Sequence, residues 1–152
     1  LVGSEMCIRD RANSPNADKY RVGATPASSV LSVAAFGLEG EFFIAKGDYI
    51  NAINSFTKGV MIEDKNNYTE PPDWAQPMRH YLGAALLKSG KFKEAEKVYR
   101  RDLKWNQNNG WSLYGLYQSL ESQGKIEESK EVYKKWNQAW MAADIDITAS
   151  HL

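Results

Sequence analysis

Gly83-Ala84-Ala85-Leu86-Leu87-Lys88-Ser89-Gly90-Lys91-Phe92-Lys93-Glu94-Ala95, followed by Tyr99, has the pattern of one helix ending, a turn and a second helix beginning. Apolar residues recur at steps of three and four as far as Leu87, the spacing of one helix face. Gly90 then stands where a helix closes in a left-handed conformation that glycine adopts without steric cost. Beyond it, Phe92, Ala95 and Tyr99 again share one helical face. The stretch predicts two helices joined by a tight turn, antiparallel because the link is short.

The pattern returns on both sides. Thirty-four residues later, Gly90 becomes Gly124, Phe92 becomes Ile126, Ala95 becomes Ser129, Tyr99 becomes Tyr133, and Leu82 becomes Leu116. Forty-three residues earlier, Gly83 becomes Gly40, Gly90 becomes Gly47, Phe92 becomes Tyr49, Ala95 becomes Ala52, and Tyr99 becomes Phe56. The longer step is the 34-residue period plus a nine-residue insertion. Periods of this length signal stacked helical pairs, none of which buries its apolar surface alone. First helices are expected over Ala35 to Lys46, Pro77 to Ser89 and Trp111 to Gln123. Ala52, Ala95 and Ser129 let paired helices approach closely, and Tyr49, Phe56, Phe92, Tyr99 and Tyr133 are expected to fill the space between pairs.

These residues resemble the tetratricopeptide repeat family. Leu82, Gly83, Gly90, Phe92, Ala95 and Tyr99 follow its pattern of small, apolar, turn-glycine and aromatic positions. The third unit departs from it with Tyr117 and Ser129 at the two small positions, and the first with Glu39 where an apolar residue is usual. The resemblance covers roughly Val30 to Met141. It implies an all-α fold, a right-handed αα-superhelix of about three units near 33–62, 76–109 and 110–143, with an inserted loop over 63–75. The repeat domain then spans 30–143, between a linker at 12–29 and a tail at 144–152. The likeness extends to longer bacterial-type repeat proteins of unassigned function, in which the matching region is the C-terminal end. One subgroup of the family grips C-terminal carboxylates with Lys, Asn and Arg. Gly37, Glu41, Tyr81, Trp111 and Gly115 stand in those places here, none matches, and Glu41 would repel a carboxylate.

Leu1 to Arg11 reads as a translated sequencing-library transposon adapter. The run CTC GTG GGC TCG GAG ATG TGT ATA AGA GAC encodes Leu1 to Asp10 in order, and the AG that continues it admits Arg11. Such segments are set apart from fold reasoning. On that reading Cys7, the single cysteine, is not native, so no thiol chemistry is expected. An absent preceding helix would leave Phe36, Leu38, Phe42 and Phe43 partly uncovered, a surface for self-association.

The 152 residues carry 19 basic and 19 acidic side chains, so no net field draws nucleic acid or anionic membrane. No uninterrupted apolar run approaches the ~18 residues that cross a bilayer. Neither nucleic acid nor membrane is an expected partner. Two histidines, His80 and His151, with no zinc spacing, phosphate loop or nucleophile elbow, predict no metal, no cofactor and no catalytic residue.

Binding is the remaining use. In the tetratricopeptide register the first helix of each pair lines a concave groove, which implies that Glu41, Ile44, His80, Ala84, Leu87, Lys88, Trp111, Tyr114, Gln118 and Glu121 face it. Exposed aromatics suit capture of a protein or peptide. In the loop from Glu63 to Trp74, two prolines enforce an extended course; either Tyr68 and Trp74 pin the loop to the stack, or Tyr68, Glu70, Trp74 and Arg79 form a second contact surface. Asp73 is expected to cap the next helix, with Gln76 three residues on. Asp144 to Thr148 alternates polar and apolar, as an extended tail lying on the protein does. The leading expectation is a protein-interaction scaffold. The alternatives are an accessory C-terminal region of a larger enzyme or sensor, and an architectural self-association module.

Overall fold

The computed structural model describes residues 2–66, 69–70 and 72–151, which are mostly helical. Helix α1 is Val2–Ala12, in the adapter-like stretch. A 3-10 turn at Ala17–Lys19 and a hairpin of β1 (Arg21–Val22) and β2 (Thr25–Pro26) follow. The helices after them are α2 (Ala27–Ala45), α3 (Tyr49–Glu63), α4 (Met78–Lys88), α5 (Phe92–Trp105), α6 (Gly110–Ser122) and α7 (Ile126–Trp140). The stretch 12–29, expected as linker, thus holds short ordered elements and the first turn of α2. Its Asn, Ser and Pro content disguises them.

The three pairs α2/α3, α4/α5 and α6/α7 close alike. Gly47, Gly90 and Gly124 have φ of 72°, 75° and 72°. The next residue, Asp48, Lys91 or Lys125, donates its N–H to the carbonyl five back, of Phe43, Leu86 or Leu120, at 2.9, 2.9 and 3.0 Å. This satisfies carbonyls that the ended helix leaves without partners. The starts differ. Asp48 caps α3 by accepting from Asn51 N at 3.1 Å, and Asn109 caps α6 by accepting from Ser112 N at 3.2 Å. Helix α4 lacks the cap expected from Asp73. Pro77, just before it, has no acceptor side chain, and the Glu63 carboxylate accepts from Met78 N at 3.1 Å instead. Asp73 lies against Gly23, and its N–H is taken by Thr69 Oγ1 at 3.2 Å.

The chain divides into two compact units, 1–78 and 79–152, where one continuous stack was expected. In the first, Val33, Ala35, Ala52, Phe56, Val60 and Met78 are buried. Phe56 lies flat where a Cβ on Gly40 would stand. Helix α2 is long and apolar enough, by length and composition, to cross a membrane. Serines and glycines interrupt its apolar runs, which is why the sequence showed no such segment. Here one flank packs on α3 and another on α1, where Arg9 pairs with Glu39 at 2.7 Å. Phe36, Leu38, Phe42 and Phe43 are half-buried. Lys58 and Lys46 lie over the Phe36 and Phe42 rings.

In the second unit the core is Leu82, Ala85, Leu86, Ala95, Tyr99, Leu113, Leu116, Leu120 and Val132. Tyr99 is 0% exposed. It occupies the space that Cβ atoms on both Gly83 and Gly115 would need, so one ring joins α5 to α4 and α6. Tyr133, expected to fill the same role, is 40% exposed. The glycine it would need is Tyr117, whose ring meets it at 4.9 Å.

Candidate functional site: a face covered by the C-terminal tail

The second unit brings part of the expected groove together around a segment the sequence placed elsewhere. After α7, the carbonyl of Ile145 accepts from Trp140 Nε1 at 2.9 Å and turns the chain back. Ile147 is buried. The Thr148 carbonyl accepts from Gln118 Nε2 at 3.1 Å, which ties the tail to α6. Ser150 is fully buried and donates to the His80 carbonyl at 3.1 Å. Its single proton is thereby used, so the Tyr99 hydroxyl, 2.5 Å away, donates to Ser150 Oγ. The His151 ring lies against Tyr81 of α4, ring centres 4.1 Å apart and planes tilted by 46°. Residues 144–151 contain no helix and no strand, and 147–151 reach from α6 to α4.

Beside the tail lies a cavity of about 250 Å³, walled by Ala84, Leu87, Lys88, Phe92, Gln118 and Ser122 on the helices and by Thr148, Ala149 and Ser150 on the tail. Leu87, Lys88 and Gln118 were expected in a groove. Ile147, Ser150 and Tyr99 were not assigned to it. The alternation of Asp144 to Thr148 marked a tail lying on a surface, but nothing local in the sequence says which surface.

The other expected site residues lie elsewhere. His80 is 1% exposed and Arg79 is buried, so neither presents a side chain to a partner. A histidine at a groove position is drawn inward by a buried acid on the facing helix. His80 Nε2 faces Asp102 Oδ2 at 3.5 Å, and that oxygen accepts from Ser112 Oγ at 2.6 Å while Oδ1 accepts from Asn106 at 3.0 Å. Burial pushes the Asp102 carboxyl up, but His80, Ser112 and Asn106 more than offset it and hold it below the usual carboxylate range. The cluster has hydroxyl, carboxylate and imidazole in the wrong order for activating a nucleophile. The hydroxyl donates to the carboxylate, and the imidazole does not stand between them. With all three buried, it fastens α4 and α6 to α5.

Trp111 and Tyr114 are half-buried in a row of rings rather than free in a groove. Trp111 meets Trp140 at 5.3 Å and Tyr114 meets Trp136 at 5.1 Å, so α7 has taken up the surface expected for a guest. Glu41 and Trp74 belong to the first unit, both half-buried, and Trp74 Nε1 is buried with no acceptor. Tyr68 lies outside the described residues. Among the described residues no three His, Cys, Asp or Glu side chains gather as metal ligands.

Burial lowers the His151 pKa, and charge on Lys88 and His80 acts the same way. A lowered value means the seated tail prefers a neutral imidazole. Seating is at full strength above the free value near 6.5 and weakens as pH falls below it.

Neither a protein-family model nor a curated protein matches this sequence.

Proposed function

We propose that this chain is a protein-interaction scaffold of the tetratricopeptide kind, without catalytic activity, whose α4/α6 face holds non-helical peptide segments of a partner. The superhelical arrangement of its three pairs belongs to the same proposal. It is supported by the three equal closing turns and by the aromatic lying on glycine sixteen residues earlier in two of the pairs, Phe56 on Gly40 and Tyr99 on Gly83.

One observation carries the functional reading. An irregular stretch, 147–151, bent at 148–150, lies on the α4/α6 face, with a main-chain carbonyl bonded to Gln118, a hydroxyl in a buried slot and a ring on Tyr81. Main-chain bonding with pockets for chosen side chains is how proteins read extended peptides. A face that orders this chain's own tail offers the same groups to a segment of another protein.

The test uses the full chain carrying Ile147→Asp, whose tail cannot keep a charge in the buried Ile147 place. A fluorescein-labelled peptide of residues 144–152 is added and its anisotropy followed at pH 7.5. Saturable binding is expected, with Kd on the order of 10–100 μM for so short a contact. The unaltered chain binds at least about tenfold more weakly, because its tethered tail competes at high effective concentration. Equal, unsaturable signals from both chains reject the reading.

A further inference from the structure

We propose that the α4/α6 face is shaped for a bulkier guest than the tail it holds: a non-helical partner segment with a large apolar side chain immediately before a serine, at the places of Ala149 and Ser150. This deepens the function proposed above and rests on it.

The two neighbouring positions of the tail are filled very differently. Ser150 fits without slack. It is fully buried, and its hydroxyl accepts from Tyr99 and donates to the His80 carbonyl. The slot cannot widen, because the Tyr99 ring is itself held where Gly83 and Gly115 leave no room for a Cβ. Only a small side chain enters, and one without a hydroxyl strands the buried Tyr99 proton. Ala149 is the opposite case. Ala149 lines the open cleft of about 250 Å³ and has only a methyl group to offer it. A single water needs only about 10–15 Å³ on this measure, so the cleft has room for a leucine or phenylalanine side chain.

The walls say what belongs there. Ala84, Leu87 and Phe92 supply carbon surface, and the Lys88 stem adds more while its charge stays at the exposed rim. Gln118 is committed to the Thr148 carbonyl. An apolar side chain gains burial at such a site, whereas a cationic one would meet Lys88. The tail therefore holds the register, with Ile147 buried and Ser150 in its slot, but forgoes the contact between them. A guest that keeps this register and also fills the cleft displaces the resident segment.

The decisive comparison is between two peptides of residues 144–152 added to the full chain carrying Ile147→Asp at pH 7.5, one native and one with Ala149→Phe. The substituted peptide is expected to bind about tenfold more tightly, the return on burying most of an aromatic side chain. A third peptide with Ser150→Ala should bind at least about fivefold more weakly, since it loses the hydroxyl and adds no bulk. Binding by the native peptide with no gain from Ala149→Phe overturns this inference and leaves the proposed function standing. Binding by neither overturns the proposed function itself. A second arm needs no displaced tail: in the full chain with Ala149→Phe alone, amide hydrogen exchange at residues 149–151 should slow about tenfold. Exchange that is unchanged or faster means the cavity does not admit the ring, and the inference fails.

Discussion

Tyr99 and Tyr133 hold the same place in successive helical pairs, yet one is 0% and the other 40% exposed. The difference comes from the residue sixteen positions earlier. Gly83 lets the Tyr99 ring lie flat on α4, and Gly115 does the same on α6. In the following pair Tyr117 stands where Gly83 would be. Tyr133 cannot lie down and leans on the Tyr117 and Trp136 rings, at 4.9 and 5.3 Å. A repeat position is thus defined by a pair of residues on facing helices, and an aromatic belongs to the core only when its partner lacks a side chain.

The largest effect that can break this comparison is truncation of the two tyrosines. Tyr99→Ala should cost about 3–5 kcal/mol, the range for removing a buried aromatic. It also unseats the tail by removing the donor to Ser150. Tyr133→Ala should cost under about 1 kcal/mol, since the ring is largely wet. Urea unfolding followed by tryptophan fluorescence measures both. Equal losses would mean that Tyr133 is buried in solution and that the glycine rule is wrong.

Next in size is the glycine itself. Gly83→Ala forces a Cβ into the Tyr99 ring. Overpacking of this kind costs about 1–3 kcal/mol, and better helix propensity returns about 1. A net loss of up to about 2 kcal/mol is expected in the same urea titration, with a loosened tail. Tyr117→Ala, at the matching place, should change stability by less than about 1 kcal/mol, because it removes a half-exposed ring and adds a good helix former. A stabilising Gly83→Ala would show that the ring can move aside.

Much of this was legible beforehand because glycines and aromatics at fixed spacing report helix ends and close approaches locally. Gly47, Gly90 and Gly124 close helices for reasons contained within six residues of chain. What was illegible depends on partners far away in sequence. His80 was expected to face a groove, and only the meeting with Asp102 and Ser112 draws it inside. Trp111 and Tyr114 were expected to await a guest, and only the course of α7 shows Trp136 and Trp140 against them. Asp73 had the chemistry of a cap, but the acceptor came from Glu63, at the end of the preceding helix. Ser150 gave no signal at all, since its slot is built from Tyr99 and a main-chain carbonyl.

The smallest effect concerns what secures the third pair to the second when its tyrosine does not. Glu96 of α5 accepts from Lys125 Nζ at 2.7 Å, from Gln123 Nε2 at 2.9 Å and from Arg100 Nε at 2.8 Å, and Arg100 continues to Glu128 of α7 at 2.8 Å. Burial pushes the Glu96 carboxyl up, but these donors outweigh it and bring it from 4.5 down to about 2. A carboxylate lowered in the folded state adds stability above its unfolded pKa, and loses that contribution as pH falls from about 4.5 towards 2. Lys125 and Arg100 are 39% and 44% exposed, so solvent screening holds the contribution to about 1 kcal/mol. Asp102 is lowered too and acts in the same direction, so wild type must be compared with Glu96→Gln. Between pH 5.5 and 2.5 the wild type should lose about 1 kcal/mol more stability than the variant, an excess that 0.5 M salt shrinks. Parallel acid curves would mean that this polar seam does not secure the third pair, and that the aromatic row along α6 and α7 does so in spite of its exposure.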